Sequence, residues 1–348
     1  MSKKSIQVGA VRIGGGAPVS IQSMTNTKTS DVAATLEQIH ALEAAGCEIV
    51  RVAVPDPAAA RAIGAIKEEI RIPLVADIHF DHRLALAALE AGADKIRINP
   101  GNIGGADHVK AVATACARKG VPIRIGVNSG SLEREILVRL GRTPEAMLES
   151  ALGHVALLNR WDFDDICISV KASSVPLTVA AYRLLAEKSD YPLHLGVTEA
   201  GGVYMGTVKS AVGLGALLLD GIGDTIRVSL TANPVAEIGA ATAILRAAGV
   251  RSDGVNIISC PSCGRCNIDL IGTAEEVERR LGEFTGDLTV AVMGCAVNGP
   301  GEAREADFGI AGGLGEGLIF KKDEIIEKVP MDKLVDRLME IIGEESRQ

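Results

Sequence analysis

Ile49-Val-Arg-Val-Ala53, Leu74-Val-Ala-Asp77 and Lys95-Ile-Arg-Ile-Asn99 decide the fold of this chain. Each is a short apolar run that ends beside a charged or amide side chain. Between them lie 57–70 and 82–91, two amphipathic stretches of helical length. Strand, helix, strand, helix, strand is the repeat of a parallel sheet. It continues in both directions. Strands are expected at 20–23, 123–127, 165–170, 193–197 and 225–229, and helices at 35–45, 106–119, 143–159, 176–188, 203–219 and 234–248. Gly46, Gly92, Gly120 and Gly249 stand where helix C-caps belong. Eight such units in about 250 residues predict an α/β fold of the (β/α)8 TIM-type barrel class. An open doubly wound sheet would carry a phosphate-binding glycine fingerprint after its first strand, and Gly14-Gly15-Gly16 follows no clear strand. Residues 6–13 read as a short hairpin covering the barrel floor.

The chain has 348 residues, 47% hydrophobic and 23% charged, which suits a globular protein with one large and one smaller domain. The expected division is a barrel at 1–252 and a second domain at 253–348. A net charge of −8 with only 3% aromatics argues against a nucleic-acid binder. No run of about 18 apolar residues exists to span a membrane. Met1-Ser-Lys-Lys is not followed by the apolar core of a secretory signal, so a cytoplasmic location is expected. Seven cysteines, four of them gathered in the last third, fit a reducing compartment and a metal site better than a disulfide framework. Cys47, Cys116 and Cys167 read as small buried hydrophobes.

Barrel strands converge on one mouth at their C-terminal ends. Those positions here hold Arg51, Asp77, His79, Arg97, Asn99, Arg124, Asn128, Lys171, Glu199, Arg227 and Ser229. Five of them are cations, and close like charges are costly unless compensated. Guanidinium forks and an ammonium both suit phosphate oxygens. A small phosphorylated substrate, a diphosphate, is therefore expected. Backbone N–H groups of Gly101-Asn102-Ile103-Gly104-Gly105 would add an anion contact. Asp77 and Glu199 suit acid–base work, orientation of a substrate hydroxyl, or plain pairing with arginines. His79 suits a phosphate contact or a proton shuttle. Lys171 also suits a Schiff-base aldolase, although arginines nearby favour phosphate. His40, His108 and His154 lie on helical patterns and read as surface or packing residues.

Beyond residue 254 the pattern changes to a small α+β module, with strands at 255–259, 288–293, 308–311 and 318–320 and helices at 273–281 and 331–342. Cys260-Pro-Ser-Cys263-Gly-Arg-Cys266 follows its first strand. Gly294-Cys295-Ala-Val-Asn298-Gly-Pro-Gly-Glu302 follows its second. This spacing is a metal site. Four thiolates would satisfy zinc, leaving a structural knot beside a non-redox phosphate enzyme. Most zinc ribbons pair two C-x-x-C knuckles, whereas the second loop here carries one cysteine and one carboxylate, so the spacing favours an iron–sulfur centre.

Ser259-Cys-Pro-Ser-Cys263, the loop from Gly294 to Glu302, Lys95-Ile-Arg-Ile-Asn-Pro-Gly-Asn102, Ile123-Arg-Ile-Gly-Val-Asn-Ser-Gly-Ser-Leu132 and Gly196-Val-Thr-Glu-Ala-Gly-Gly202 together resemble the 4-hydroxy-3-methylbut-2-enyl diphosphate synthase family, over essentially the whole chain. The resemblance implies a [4Fe-4S] cluster held by Cys260, Cys263, Cys295 and Glu302. It implies reductive ring opening of 2-C-methyl-D-erythritol 2,4-cyclodiphosphate with loss of water, using two electrons from ferredoxin or flavodoxin. It also implies a pocket of Arg51, Asp77, His79, Arg97, Arg124, Asn128, Lys171, Glu199, Arg227, Ser229 and Asn298, with Asp77, His79, Glu199 and Asn298 nearest the chemistry. Asn99 joins the set by position alone. A carboxylate holds iron more weakly than a thiolate, which would leave one iron open to substrate. Cys266 is no ligand in the family and is expected to be a bystander. The family's head-to-tail homodimer, in which the cluster domain caps the partner's barrel, is carried over as an expectation.

Overall fold

Val50, Val52, Leu74, Ala76, Ile96 and Ile98 occupy alternate positions of three strands, and all are fully buried in one apolar layer. Their neighbours Arg51, Asp77, Lys95 and Arg97 therefore face the other way, toward the barrel axis. A computed structural model describes residues 2–99, 101–252, 254–282, 284, 286–295, 303–313, 315–322 and 324–345. They form two compact units, Met1–Arg251 and Ser252–Gln348.

In the first unit, β1 (Ser5–Val8) and β2 (Val11–Gly14) form an antiparallel hairpin. Eight parallel strands follow: β3 (Ser20–Met24), β4 (Ile49–Ala53), β5 (Leu74–Asp77), β6 (Lys95–Ile98), β7 (Ile123–Asn128), β8 (Ile166–Lys171), β9 (His194–Leu195) and β10 (Thr225–Ile226). Their order is β8-β7-β6-β5-β4-β3-β10-β9, and a parallel bridge between Ile168 and Leu193 joins the two edges. The sheet thus closes into the expected TIM-type barrel. The helices are α1 (Val32–Ala44), α2 (Pro57–Glu69), α3 (His82–Glu90), α4 (Ala106–Lys119), α5 (Arg134–Leu140), α6 (Pro144–Asn159), α7 (Val175–Lys188), α8 (Val203–Leu219) and α9 (Val235–Ala247). Their starts are set locally. Asp31, Asp56, Asp81, Thr143 and Ser174 each accept a first-turn N–H, and Pro57 and Pro144 sit just inside two of these helices.

Two details depart from the sequence pattern. The seven-residue α5 is too short to show a period, and with the 3-10 turn Ser129–Ser131 it lengthens the connection after β7. β9 and β10 are two-residue strands, shorter than the expected 193–197 and 225–229. Of the two places open to it, His154 takes the packed one: it is buried, with Nε2 2.7 Å from a Glu133 carboxylate oxygen. The hairpin takes the place expected of it. Ile6, Val8 and Ile13 pack on Ile49, Val75 and Cys167, the apolar bottom of the barrel axis.

The second unit has one sheet in the order β11 (Gly254–Ser259), β12 (Asp287–Met293), β13 (Phe308–Ala311), β14 (Glu316–Lys321), β15 (Glu324–Pro330). The first three strands are parallel and the last two antiparallel. α10 (Leu270–Leu281) and α11 (Leu334–Glu345) bury Val277, Leu281, Leu338 and Ile342 with Val290, Val292 and Ile310 of the sheet. β15 escapes sequence reading because Ile325 and Ile326 are both exposed, so it lacks the alternation of a half-buried strand. No helix among the described residues is long and apolar enough to cross a membrane.

Candidate active site

Period-two alternation carries charge up the inside of the barrel. Lys95 and Arg97 share one face of β6. Arg124, Gly126 and Asn128 share one face of β7, and Cys167, Ser169 and Lys171 one face of β8, while the residues between them lie in the outer apolar layer. The register sets Asp77 beside Arg97, Arg97 beside Arg124, and Asn128 beside Lys171.

Asp77 is the hub. Its Oδ1 accepts from Arg97 Nη1 at 3.1 Å. Its Oδ2 lies 3.8 Å from Arg51 Nε and 3.6 Å from His79 Nε2. Burial alone would raise its pKa, but Arg51, Arg97 and His79 outweigh it and hold the carboxyl at about 2. Arg124 donates to Ser169 Oγ at 2.5 Å, and its Nε and Nη2 are buried with no partner among the described residues. Burial and then Arg97 bring it to about 10. Arg51 and Lys171 are pushed well below their ordinary values, first by burial and then by the surrounding guanidiniums. Arg227 is tied outward: Nη2 and Nε lie 3.3 and 3.4 Å from the Glu237 carboxylate on α9, which also accepts from Ser23 Oγ at 2.8 Å and Leu230 N at 3.1 Å. The result is a mouth with more buried positive charge than its own carboxylates balance.

Two glycines make room for this. A Cβ at Gly126 would stand 2.5 Å from Arg97 Nε. One at Gly196 would stand 2.4 Å from Lys171 Nζ and 2.9 Å from the Arg227 carbonyl oxygen. The remaining rim residues differ in character. His79 and Glu199 are exposed, and Asn128 and Ser229 are half-buried. Glu199 has φ +54, a backbone conformation that only surrounding structure maintains in a residue with a side chain. Asn99 is buried, and its amide is engaged: Oδ1 accepts from Gly101 N at 3.2 Å and Nδ2 donates to Ser131 Oγ at 3.3 Å. With Asn102 N–H turned onto Asn99 O at 2.9 Å, the first two N–H groups of the loop expected to contact an anion are already engaged.

In the second unit, Ser259 of β11 pairs with Val292 of β12. The two strand ends therefore lead into the neighbouring loops that carry Cys260 and Cys295. Gly294 N–H donates to Cys260 Sγ at 3.2 Å, a contact typical of sulfurs in iron–sulfur sites. Cys263 is exposed in the same turn, and Cys295 is buried. Three soft thiols on adjoining loops fit an iron–sulfur centre. Among the described residues no three His, Cys, Asp or Glu side chains already converge at metal-binding distance, and Asn298 and Glu302 lie outside the described residues. Cys266 Sγ donates to Ile268 O at 3.2 Å and stands 2.6 Å from where a Gly294 Cβ would be.

Sequence reading missed Met24, Ser169, Lys95 and Glu237. Met24 sulfur lies 3.0 Å from Arg51 Nε and 3.7 Å from Arg227 Nη1. Extending the strand-end reading two residues inward along each strand would have found Ser169 and Lys95. Nothing in the local sequence marks Glu237.

Residues 3–242 match the GcpE TIM-barrel domain, and 256–344 match the GcpE protein C-terminal domain. The 4-hydroxy-3-methylbut-2-en-1-yl diphosphate synthase (flavodoxin) of Geobacter sulfurreducens is 62% identical over 97% of this chain and 96% of its own length. The Ruminiclostridium cellulolyticum protein of the same name is 58% identical over 98% of this chain and 97% of its own. Among solved structures, the Clostridium difficile type I 3-dehydroquinate dehydratase aligns at TM-score 0.52 with 15% identity, covering 70% of this chain and 97% of that one. Xanthomonas albilineans dihydropteroate synthase aligns at 0.51 with 13% identity, covering 70% and 98%. At these identities the two structures share the barrel and nothing more.

Proposed function

We infer the activity from the premise that this chain belongs to the GcpE family: it is a 4-hydroxy-3-methylbut-2-enyl diphosphate synthase. It reductively opens 2-C-methyl-D-erythritol 2,4-cyclodiphosphate, with loss of water, and takes its electrons from flavodoxin, the donor in its relatives' names. The observation that carries the reading is the mouth itself, where buried Arg97, Arg124 and Lys171 and half-buried Arg51 gather around one ionised carboxylate. A diphosphate supplies the missing negative charge.

The residues divide by geometry. Arg51, Arg97, Arg124, Lys171 and Arg227 hold phosphate oxygens and fix the ring, so that one C–O bond is presented for cleavage. Asn128 and Ser229 line the rim as further polar contacts. Asp77 orients Arg51, Arg97 and His79; held ionised, it has no proton to give near neutral pH. Proton transfer falls to the exposed residues His79 and Glu199, and Asn298 is proposed as a further catalytic residue on the family resemblance alone. Asn99 shapes the loop after β6. Cys260, Cys263, Cys295 and Glu302 are the ligand set for a [4Fe-4S] cluster, whose chemistry when bound is electron supply and an acid pole for a departing oxygen. Seven unpaired cysteines suit the reducing cytoplasm in which we place the protein. Exposed Tyr204, Val208 and Val212, spaced along α8, support a second copy as partner in a head-to-tail homodimer.

The test is anaerobic. Purified protein should hold about four irons and four sulfides per chain, and should turn over the cyclic diphosphate with reduced flavodoxin. Stoichiometric zinc in a protein that stays inactive after cluster reconstitution overturns the reading. Light scattering alongside turnover tests the dimer, and an active monomer contradicts it.

A further inference from the structure

Below the mouth, the barrel axis holds a second set of polar groups. Gln22, Lys95, Arg124, His194 and Thr225 are at most 2% exposed, and each has a side-chain nitrogen or oxygen without a hydrogen-bond partner among the described residues. Lys95 stands out among them. It is fully buried, and its Nζ meets no acceptor. It lies two residues before Arg97 on the same face of β6, about 7 Å deeper. Beneath it is the apolar floor of Ile49, Val75 and Cys167.

The groups that face Lys95 give it no counter-ion. Arg51 comes from β4, Arg124 from β7, Cys167 from β8 and His194 from β9, with Arg97 above it on its own strand. The axis carboxylate, Asp77 of β5, is already engaged by Arg97 and Arg51. A buried, unpaired ammonium destabilises a fold, and such groups persist where function needs them. We propose that Lys95 is a positioning residue for the diphosphate, a cation set on the barrel axis under Arg97 and Arg124 to raise the positive potential at the mouth. This rests on the mouth being the diphosphate site. Burial is the main influence on its ammonium and brings it down to about 8, so its proton is loosely held until an anion sits above it. His194 is pushed well below its ordinary value, first by burial and then by Lys171 and Arg124, and so stays neutral.

The experiment compares Lys95→Met with wild type in the full chain, by thermal melting and by calorimetric titration of inorganic pyrophosphate. The variant should melt at a higher temperature, since an unpaired buried charge has gone. It should bind pyrophosphate about tenfold more weakly. At pH 8 wild-type binding should take up a fraction of a proton that the variant does not. A lower melting temperature or an unchanged affinity overturns the proposal. Lys95→Gln is the second variant, and failure of both to fold marks Lys95 as structural and equally overturns it. Absence of pyrophosphate binding by the wild type sinks the mouth reading, and the role of Lys95 with it. Wild-type binding that Lys95→Met leaves untouched sinks only the latter.

Discussion

Arg97 donates to Asp77 across adjacent barrel strands at 3.1 Å, with the two side chains 9% and 3% exposed. The pair is too deep to be a surface ornament and is flanked on both sides by cations. Asp77 is the mouth's internal counter-ion, and on our proposal the substrate diphosphate completes the balance.

Replacement of Asp77 by Asn should therefore destabilise the protein strongly. It leaves buried Arg97 and half-buried Arg51 without a carboxylate, a loss of about 3 kcal/mol. Urea denaturation of both proteins measures it. A loss under about 1 kcal/mol would mean that solvent reaches the pair.

The same pair sets an acid limit. The folded Asp77 pKa is about 2, below the ordinary 3.8. A carboxylate depressed in the folded state adds stability above its unfolded pKa, and that stability is lost as pH falls through the folded value. Wild type should thus lose about 2 kcal/mol between roughly pH 5 and pH 2 that Asp77→Asn does not. Parallel curves for the two proteins would contradict the assignment.

Gly196→Ala tests the packing around Lys171. The new methyl meets the Lys171 ammonium, which can move, and the Arg227 carbonyl, which cannot. We expect about 1–3 kcal/mol of lost stability. KM for the cyclic diphosphate should rise about tenfold or more as Lys171 is displaced. A fully stable variant with normal KM would place Lys171 outside the pocket.

The cysteines separate by geometry. Cys266→Ser should keep iron, sulfide and turnover, because that thiol is bonded within its own loop. Cys260→Ser, Cys263→Ser and Cys295→Ser should each lose the cluster. Glu302→Ala should keep part of it and lose turnover. Metal and sulfide analysis with EPR distinguishes them, and loss of the cluster in Cys266→Ser would make Cys266 a ligand.

Glu237→Gln should weaken catalysis from outside the mouth. Its carboxylate lies within 3.4 Å of Arg227 and also accepts from Ser23 and Leu230. Loss of the charge frees Arg227, and KM should rise while kcat changes less. A fall in kcat with KM unchanged would point to a different role.

The barrel was legible because Leu74–Asp77 and Lys95–Ile98 alternate with capped helices of ordinary length. Asp77 and Lys171 were legible as strand-end residues, since closure into a barrel must bring such ends together, whereas Arg124, expected at a strand end, stands second in β7 and reaches the axis from within the strand. Lys95 and His194 were not. Each sits within a strand, and only the closed sheet decides which face looks into the axis. Glu237 reads as an ordinary charge near a helix start until the folded chain sets it against Arg227. α5 and β15 were missed for want of length in one and of alternation in the other.

The floor hairpin has a kinetic consequence. Ile6, Val8 and Ile13 stopper the barrel from below, and Gly9, at φ +53, makes the tight reversal between the two strands. Substrate, product and released water must all pass through the same doorway. Departure of the product diphosphate then has to precede entry of the next substrate, and product should inhibit in strict competition with it. Shortening the N-terminus past Ile13 would lay Ile49, Val75 and Cys167 bare to water.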